Sequence, residues 1–240
     1  MGEDGAVEFT KGGASVVPMV ISDGTLVTWA DVDASQSLQD GYLPIPSVQW
    51  RHRDFGLRVT AFARGDANQS QMLVRYRLDN PTAQPREYLL ALTVQPWQVN
   101  PPSQFLNTTG GSVPIGLLTL SAGGEAMVGT SMQSGDLHTV VRSLQAPDAL
   151  LAAAFDQGTI AARLAAGEAF SNPDRFHALV EDEARLASGA LLYRMRLAPG
   201  EHREVVLMQP LSAIHVVDAP SPLVTEENRE PGLGFDVDAA

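Results

Sequence analysis

The clearest signal in the chain is alternation of apolar and polar positions with a period of two. In LRVTAFARG, Leu57, Val59 and Ala61 fall on one face and Arg58 and Thr60 on the other. In QMLVRYRLDNP, Met72, Val74, Tyr76 and Leu78 alternate with Arg75 and Arg77. Successive side chains of an extended strand point to opposite faces, so both runs predict half-buried strands. Asp79-Asn80-Pro81 ends the second, because proline has no N–H for a ladder and Asx side chains favour turns. REYLLALTVQP differs: Leu90, Leu92 and Val94 share one face, and Leu89, Ala91 and Thr93 share the other. Apolar residues on both faces predict a central strand covered on both sides.

The theme continues downstream. PIGLLTLSAGGEAMVGT predicts two strands joined at Gly123-Gly124. In ALLYRMRLAPGEHREVVLMQPL, Leu191, Tyr193, Met195 and Leu197 alternate with Arg194 and Arg196, Pro199-Gly200 forms a turn, and a strand follows through Val205–Met208. Arg75, Arg77, Arg194 and Arg196 are expected to make one polar row, solvated or paired to a neighbour. The exception is the alanine- and leucine-rich stretch Pro147 to Ala169. Within it a short helix is expected over Thr159–Ala166, with Gly167 as its stop, whereas Leu150–Phe155 is open between helix and buried strand. Many short strands and one helical insert near 158–167 predict an all-β fold, a large antiparallel sandwich. The expected organisation is a flexible linker over 1–14, a sandwich over 15–211, and an acidic linker over 212–240 leading toward a further domain.

At 240 residues the chain is long enough to bury a substantial core without covalent staples. Cysteine is absent, so neither a disulfide framework nor a thiolate metal site is available. The net charge of −12 disfavours nucleic acid, which needs clustered Lys and Arg, and anionic membrane surfaces. No apolar run approaches the ~18 residues needed to span a bilayer. MGEDGAVEFTKGG has no apolar signal-peptide core, so a soluble chain is expected, with export as part of a longer chain left open.

No catalytic constellation stands out. The five histidines, His52, His138, His177, His202 and His215, show no metal-ligand spacing, and there is no GxSxG elbow, phosphate loop or dinucleotide fingerprint. No cofactor is expected. The carboxylate candidates are Asp31 and Asp33, which would share a face on a strand, then Asp40, Asp54 and the run Glu181-Asp182-Glu183. Glycosidases pair two carboxyl groups about 5–10 Å apart, a separation that sequence does not specify. The aromatic candidates are Trp29, Trp50 and Trp97. QPWQVNPPSQFLNTTGG, directly after an apolar strand, surrounds Trp97 with Gln98, Asn100, Gln104 and Asn107 and is stiffened by Pro101-Pro102. An indole face stacks on a sugar ring and amides meet hydroxyls, so these five residues form a candidate carbohydrate-binding or docking surface. A bulky plug at a sandwich corner is the competing reading.

YRLDNPTAQPREYLLALTVQPWQVNPPSQFLN, with GGSVPIG and GALLYRMRLAPGEHREVVLMQPL, resembles the β-sandwich portion, the supersandwich, of large bacterial six-hairpin glycosidase-like proteins, which often also carry a discoidin (factor 5/8 type C) domain. The resemblance covers roughly Ser15 to Leu211. It implies a non-catalytic sandwich that supports or docks on an (α/α)6 toroid of the same parent chain, with the catalytic carboxylates in that toroid and none here. The alternatives are a stand-alone carbohydrate-binding module and an independent carboxylate-dependent glycoside-processing enzyme.

Overall fold

A computed structural model describes residues 1–10, 12–66, 70–99, 111–172 and 174–211. Its strands, in chain order, are β1 (Val7–Glu8), β2 (Ser15–Ser22), β3 (Thr25–Val27), β4 (Asp33–Gln39), β5 (Leu43–Arg51), β6 (Gly56–Arg64), β7 (Gln71–Asp79) and β8 (Arg86–Gln95). There follow β9 (Leu117–Ser121), β10 (Glu125–Gly129), β11 (His138–Ser143), β12 (Ala149–Ala153), β13 (His177–Glu181), β14 (Ser188–Leu197) and β15 (His202–Pro210). Among the described residues these make two antiparallel sheets. A six-stranded sheet runs β1-β2-β8-β14-β12, with β3 also on β2, and a nine-stranded sheet runs β13-β9-β10-β11-β15-β7-β6-β5-β4. The expected all-β antiparallel sandwich is what the chain forms.

The main core lies between the sheets and takes the faces that alternation marked: Leu57, Val59, Val74, Tyr76 and Leu78 from one sheet, Leu90, Leu92, Val94, Leu191 and Tyr193 from the other. Gly189 in β14 has no side chain because Leu118 and Leu120 of β9 occupy that space; a Cβ there would stand 2.6 Å from Leu118 Cδ2. The apolar outer face of β8 is covered as well. Leu89 and Ala91 join Met19, Ala190 and Leu192 beneath Ile160 and Leu164 of the one α-helix among the described residues, α1 (Ile160–Ala165). That helix starts where expected, with Thr159 Oγ1 accepting from Ala162 N at 3.2 Å, and stops at Gly167, whose φ is 82°. The open segment resolves to strand: Ala149–Ala153 pairs with β14 as β12, and a 3-10 turn begins at Phe155.

Asn80 shows how the turn residues lock the sandwich. It is fully buried, and its Nδ2 donates to Leu197 O at 3.0 Å and Gln84 O at 2.8 Å. Its Oδ1 accepts from Thr82 N and Oγ1, and its backbone N–H donates to Glu201 O. The β7–β8 connection is thereby tied to the β14–β15 turn.

Two expectations need correction. Residues 1–14 do not form a flexible linker: β1 pairs with β2 (Val7↔Val16), Val7 and Phe9 lie in the core, and Trp50 Nε1 donates to Asp4 O at 3.1 Å. The apolar Val7 and Phe9 found a sheet edge to cover, which the flanking glycines and acids concealed. The four arginines do not make one row, because β7 and β14 belong to different sheets. Arg75 approaches Glu204 at 3.9 Å on one outer face, while Arg194 stands over the Phe170 ring at 4.6 Å on the other. Residues 212–240, expected as an acidic linker, lie outside the described residues.

Candidate functional site

Beside the six-stranded sheet, a cleft of about 780 Å³ opens between the outer edge of β2 and strand β4. Register explains the opening. On that edge β1 pairs with Ser15 and Val16, and β3 pairs with Val20 to Ser22, so Val17, Pro18 and Met19 have no strand beside them among the described residues. Pro18 lacks the N–H that an added strand would need there, which keeps the gap from closing by further pairing. The opposite wall is β4, which among the described residues pairs only with β5 and is exposed along its whole length.

Two tryptophans line the cleft, and both are open to solvent: Trp29 at 55% and Trp97 at 42%. Trp29 opens a single 3-10 turn, Trp29–Asp31. Thr28 N and Oγ1 both donate to Asp31 Oδ2 at 2.9 Å, and Asp31 N donates to Thr28 O. The Thr28 backbone N–H, then its hydroxyl, hold the Asp31 carboxyl below the usual carboxylate range. Asp31 is therefore the clamp of the Trp29 turn.

Trp97 follows β8 and forms a bridge with Ser112, while Val113 N donates to Pro96 O at 2.7 Å. Gln98 fastens this corner: its Nε2 donates to Gly12 O, and its Oε1 accepts from Gly111 N, both at 3.0 Å. Its amide is thus engaged on both ends by backbone, and the residue orients Trp97 more than it presents a free amide. Other polar groups remain without protein partners. Ser15 is 2% exposed and its Oγ has no hydrogen bond. Gln36, exposed on β4, makes no side-chain hydrogen bond among the described residues. Both residues line the cleft.

Of the five residues picked from the sequence, Trp97 and Gln98 come to this cleft; Asn100, Gln104 and Asn107 lie outside the described residues. Trp50, by contrast, is a core residue at 0% exposure. The sequence reading missed Ser15 and Gln36 and did not separate Trp29 from Trp50. The signal that could have done so is Thr28-Trp29-Ala30-Asp31, a Thr-x-x-acid cap that places the indole on a turn.

Of the carboxylate candidates, Asp31, Asp54, Glu181 and Asp182 take structural places, whereas Asp33, Asp40 and Glu183 are exposed. Asp31 and Asp33 do not share a strand face, since Asp31 ends the turn and Asp33 begins β4. Glu181 Oε1 accepts from Met132 N at 2.8 Å. Asp182, 7% exposed, accepts from Ala184, Leu186 and Phe155 N–H groups and closes its own loop. Asp54 joins Arg86 at 3.1 Å, and Arg86 also meets Asp23. Among the described residues no group of three His, Asp or Glu could hold a metal ion, and no helix is long and apolar enough to cross a membrane.

No protein-family profile matches the chain, and no curated protein matches it in sequence. Among solved structures, it is similar to one described as "Putative kojibiose phosphorylase from human microbiome", with a TM-score of 0.40 and 9% identity over 80% of this chain. The chain spans 21% of that protein's length. A likeness of this size carries no argument about chemistry.

Proposed function

We propose that this β-sandwich is a non-catalytic module of a larger carbohydrate-active protein, with the Trp29–Trp97 cleft as its glycan-binding site. The observation that carries the reading is the cleft's make-up: two solvent-open indoles, from turns far apart in sequence, lining one concavity with the unpartnered Ser15 hydroxyl and Gln36 amide. Apolar walls with a few placed polar groups, in a volume of a few hundred Å³, are the usual form of a small-molecule site. Indole faces favour the C–H face of a sugar ring. Asp31, Asp54, Glu181 and Asp182 are committed to backbone N–H groups and ion pairs, and hydrolysis is assigned to another domain of the parent. Isothermal titration of the chain with a panel of oligosaccharides tests this. Micromolar to millimolar binding to at least one of them, lost in both Trp29→Ala and Trp97→Ala, is the expected result; hydrolysis of aryl glycosides by this chain would overturn the non-catalytic part.

A second reading, docking on the (α/α)6 toroid that the family resemblance implies, is favoured by a different surface. Phe176 and Leu179, 70% and 54% exposed, lie at and just before the edge strand β13. Met132 is drawn to the same edge by Glu181, and Phe155 by Asp182. Exposed apolar side chains gathered on one edge are the usual mark of an interface. The two readings use opposite edges of the nine-stranded sheet, β4 and β13, and are compatible.

A further inference from the structure

We infer that the Trp29–Trp97 cleft takes an uncharged glycan and turns acidic glycans away. This rests on the glycan reading above and adds the class of sugar. The charged side chains lining the cleft are Glu3 and Asp4, and among the described residues no Lys or Arg lines it. Recognition of uronate or sulfate groups depends on guanidinium or ammonium donors, Arg above all for its bidentate fork. An anionic sugar entering this cleft would lose water and meet no cation among the described residues, and would approach two carboxylates of its own sign.

The polar groups that are present suit hydroxyls instead. Ser15 Oγ is buried without a partner, so its lost hydration is uncompensated in the free protein. That oxygen lies just beneath the cleft surface, so a sugar hydroxyl bonds to it only where the cleft wall shifts. The Gln36 amide offers both a donor and an acceptor, the pairing a hydroxyl can satisfy in either sense. The net charge of −12 acts in the same direction at long range, but it is screened beyond about 8 Å at physiological salt. Glu3 and Asp4 are the local part of the effect. Asp4 also accepts from Ala6 N at 2.9 Å and is structural, whereas Glu3 is exposed and can be changed without disturbing the fold.

The test is affinity electrophoresis and titration of the full chain. The neutral probes are glucans, mannan and xylan; the acidic probes are polygalacturonate, alginate and chondroitin sulfate. Expected is binding to at least one neutral glycan, dependent on Trp29 and Trp97, with acidic glycans unretained at low salt. Glu3→Lys should tighten acidic-glycan binding by about fivefold or more, the size expected for removing one like charge about 4 Å away in water. Wild-type protein that binds an acidic glycan as tightly as any neutral one would overturn the inference while leaving the glycan reading intact. So would a Glu3→Lys variant that gains nothing. Binding to neither class would remove the glycan reading itself, and the inference with it.

Discussion

In β8, every residue from Tyr88 to Gln95 is buried, whereas every residue of β4, Asp33 to Gln39, is exposed. β8 has a strand on each side, β2 and β14, with the core beneath it and α1 above. Among the described residues β4 has β5 on one side and no strand on the other, and all of it is exposed. Backbone ladders are thus the common element, and side-chain burial is what differs. A strand can be held by one ladder alone if its partner is anchored, and β5 is anchored by Trp50 in the core. The consequence is a division of labour. The β8 region supplies stability, while β4 contributes little packing and is free to serve as a wall of the cleft. The tryptophans mark the same division, with Trp50 beneath and Trp29 and Trp97 above.

The largest expected effect is at the buried pole. Trp50→Ala should destabilise the chain by about 3–5 kcal/mol in chemical denaturation, because it leaves a cavity and removes the bond to Asp4 O. A loss below about 1 kcal/mol would mean that Trp50 is not what anchors β5, and through it β4. Asn80→Ala should follow at about 2–4 kcal/mol, since it strands the Leu197 and Thr82 backbone groups that Asn80 satisfies. The midpoint of a urea titration would show it.

At the exposed pole the order of effects on stability and on binding should reverse. Trp97→Ala and Trp29→Ala should each cost about 1 kcal/mol or less in stability, as expected for partly exposed sites. Each should weaken glycan binding about tenfold or more, since aromatic anchors dominate such sites. A core-sized loss of stability for Trp97→Ala would return that residue to the corner-plug reading. Ser37→Ala, in the middle of β4, should move stability by no more than about 0.5 kcal/mol.

Asp79, at the end of β7, gives the smallest effect, and one that depends on pH. Burial raises its carboxyl above the usual range, and Arg77, Arg58 and His202 pull it back in part. A raised folded-state value means the contribution to stability is fully present at acid pH, below the usual carboxylate range. It is lost as pH rises through the folded value. Asp79→Asn should therefore raise the melting temperature at pH 7 by about 1–2 °C, a figure discounted for partial exposure. The gain should vanish as the pH approaches 3.

The sequence reading succeeded where one force dominated. β7, β8, β14 and β15 were legible because burial of one or both faces imposes a strict pattern, and the Thr159–Gly167 helix because its cap and its stop are local chemistry. It failed where partners are distant. Val7 and Phe9 looked like part of a linker because two apolar residues among glycines and acids make no periodic signal, yet β2 had an edge for them. The arginine row dissolved because alternation tells which residues share a face of a strand but not which sheet the strand joins.

By itself, the sequence determined the class of fold, the faces of the central strands and the turns between them, since these follow from side-chain period and from residues that restrict their own backbone. It also determined that no thiolate chemistry is available. The tertiary structure alone decided which indoles are open. Trp29, Trp50 and Trp97 are chemically identical, and one is buried while two face a cleft, because the path of β4 and the gap beside Pro18 are set by pairing between segments distant in the chain. The cleft exists only as a relation between those segments, so no local stretch of sequence encodes it.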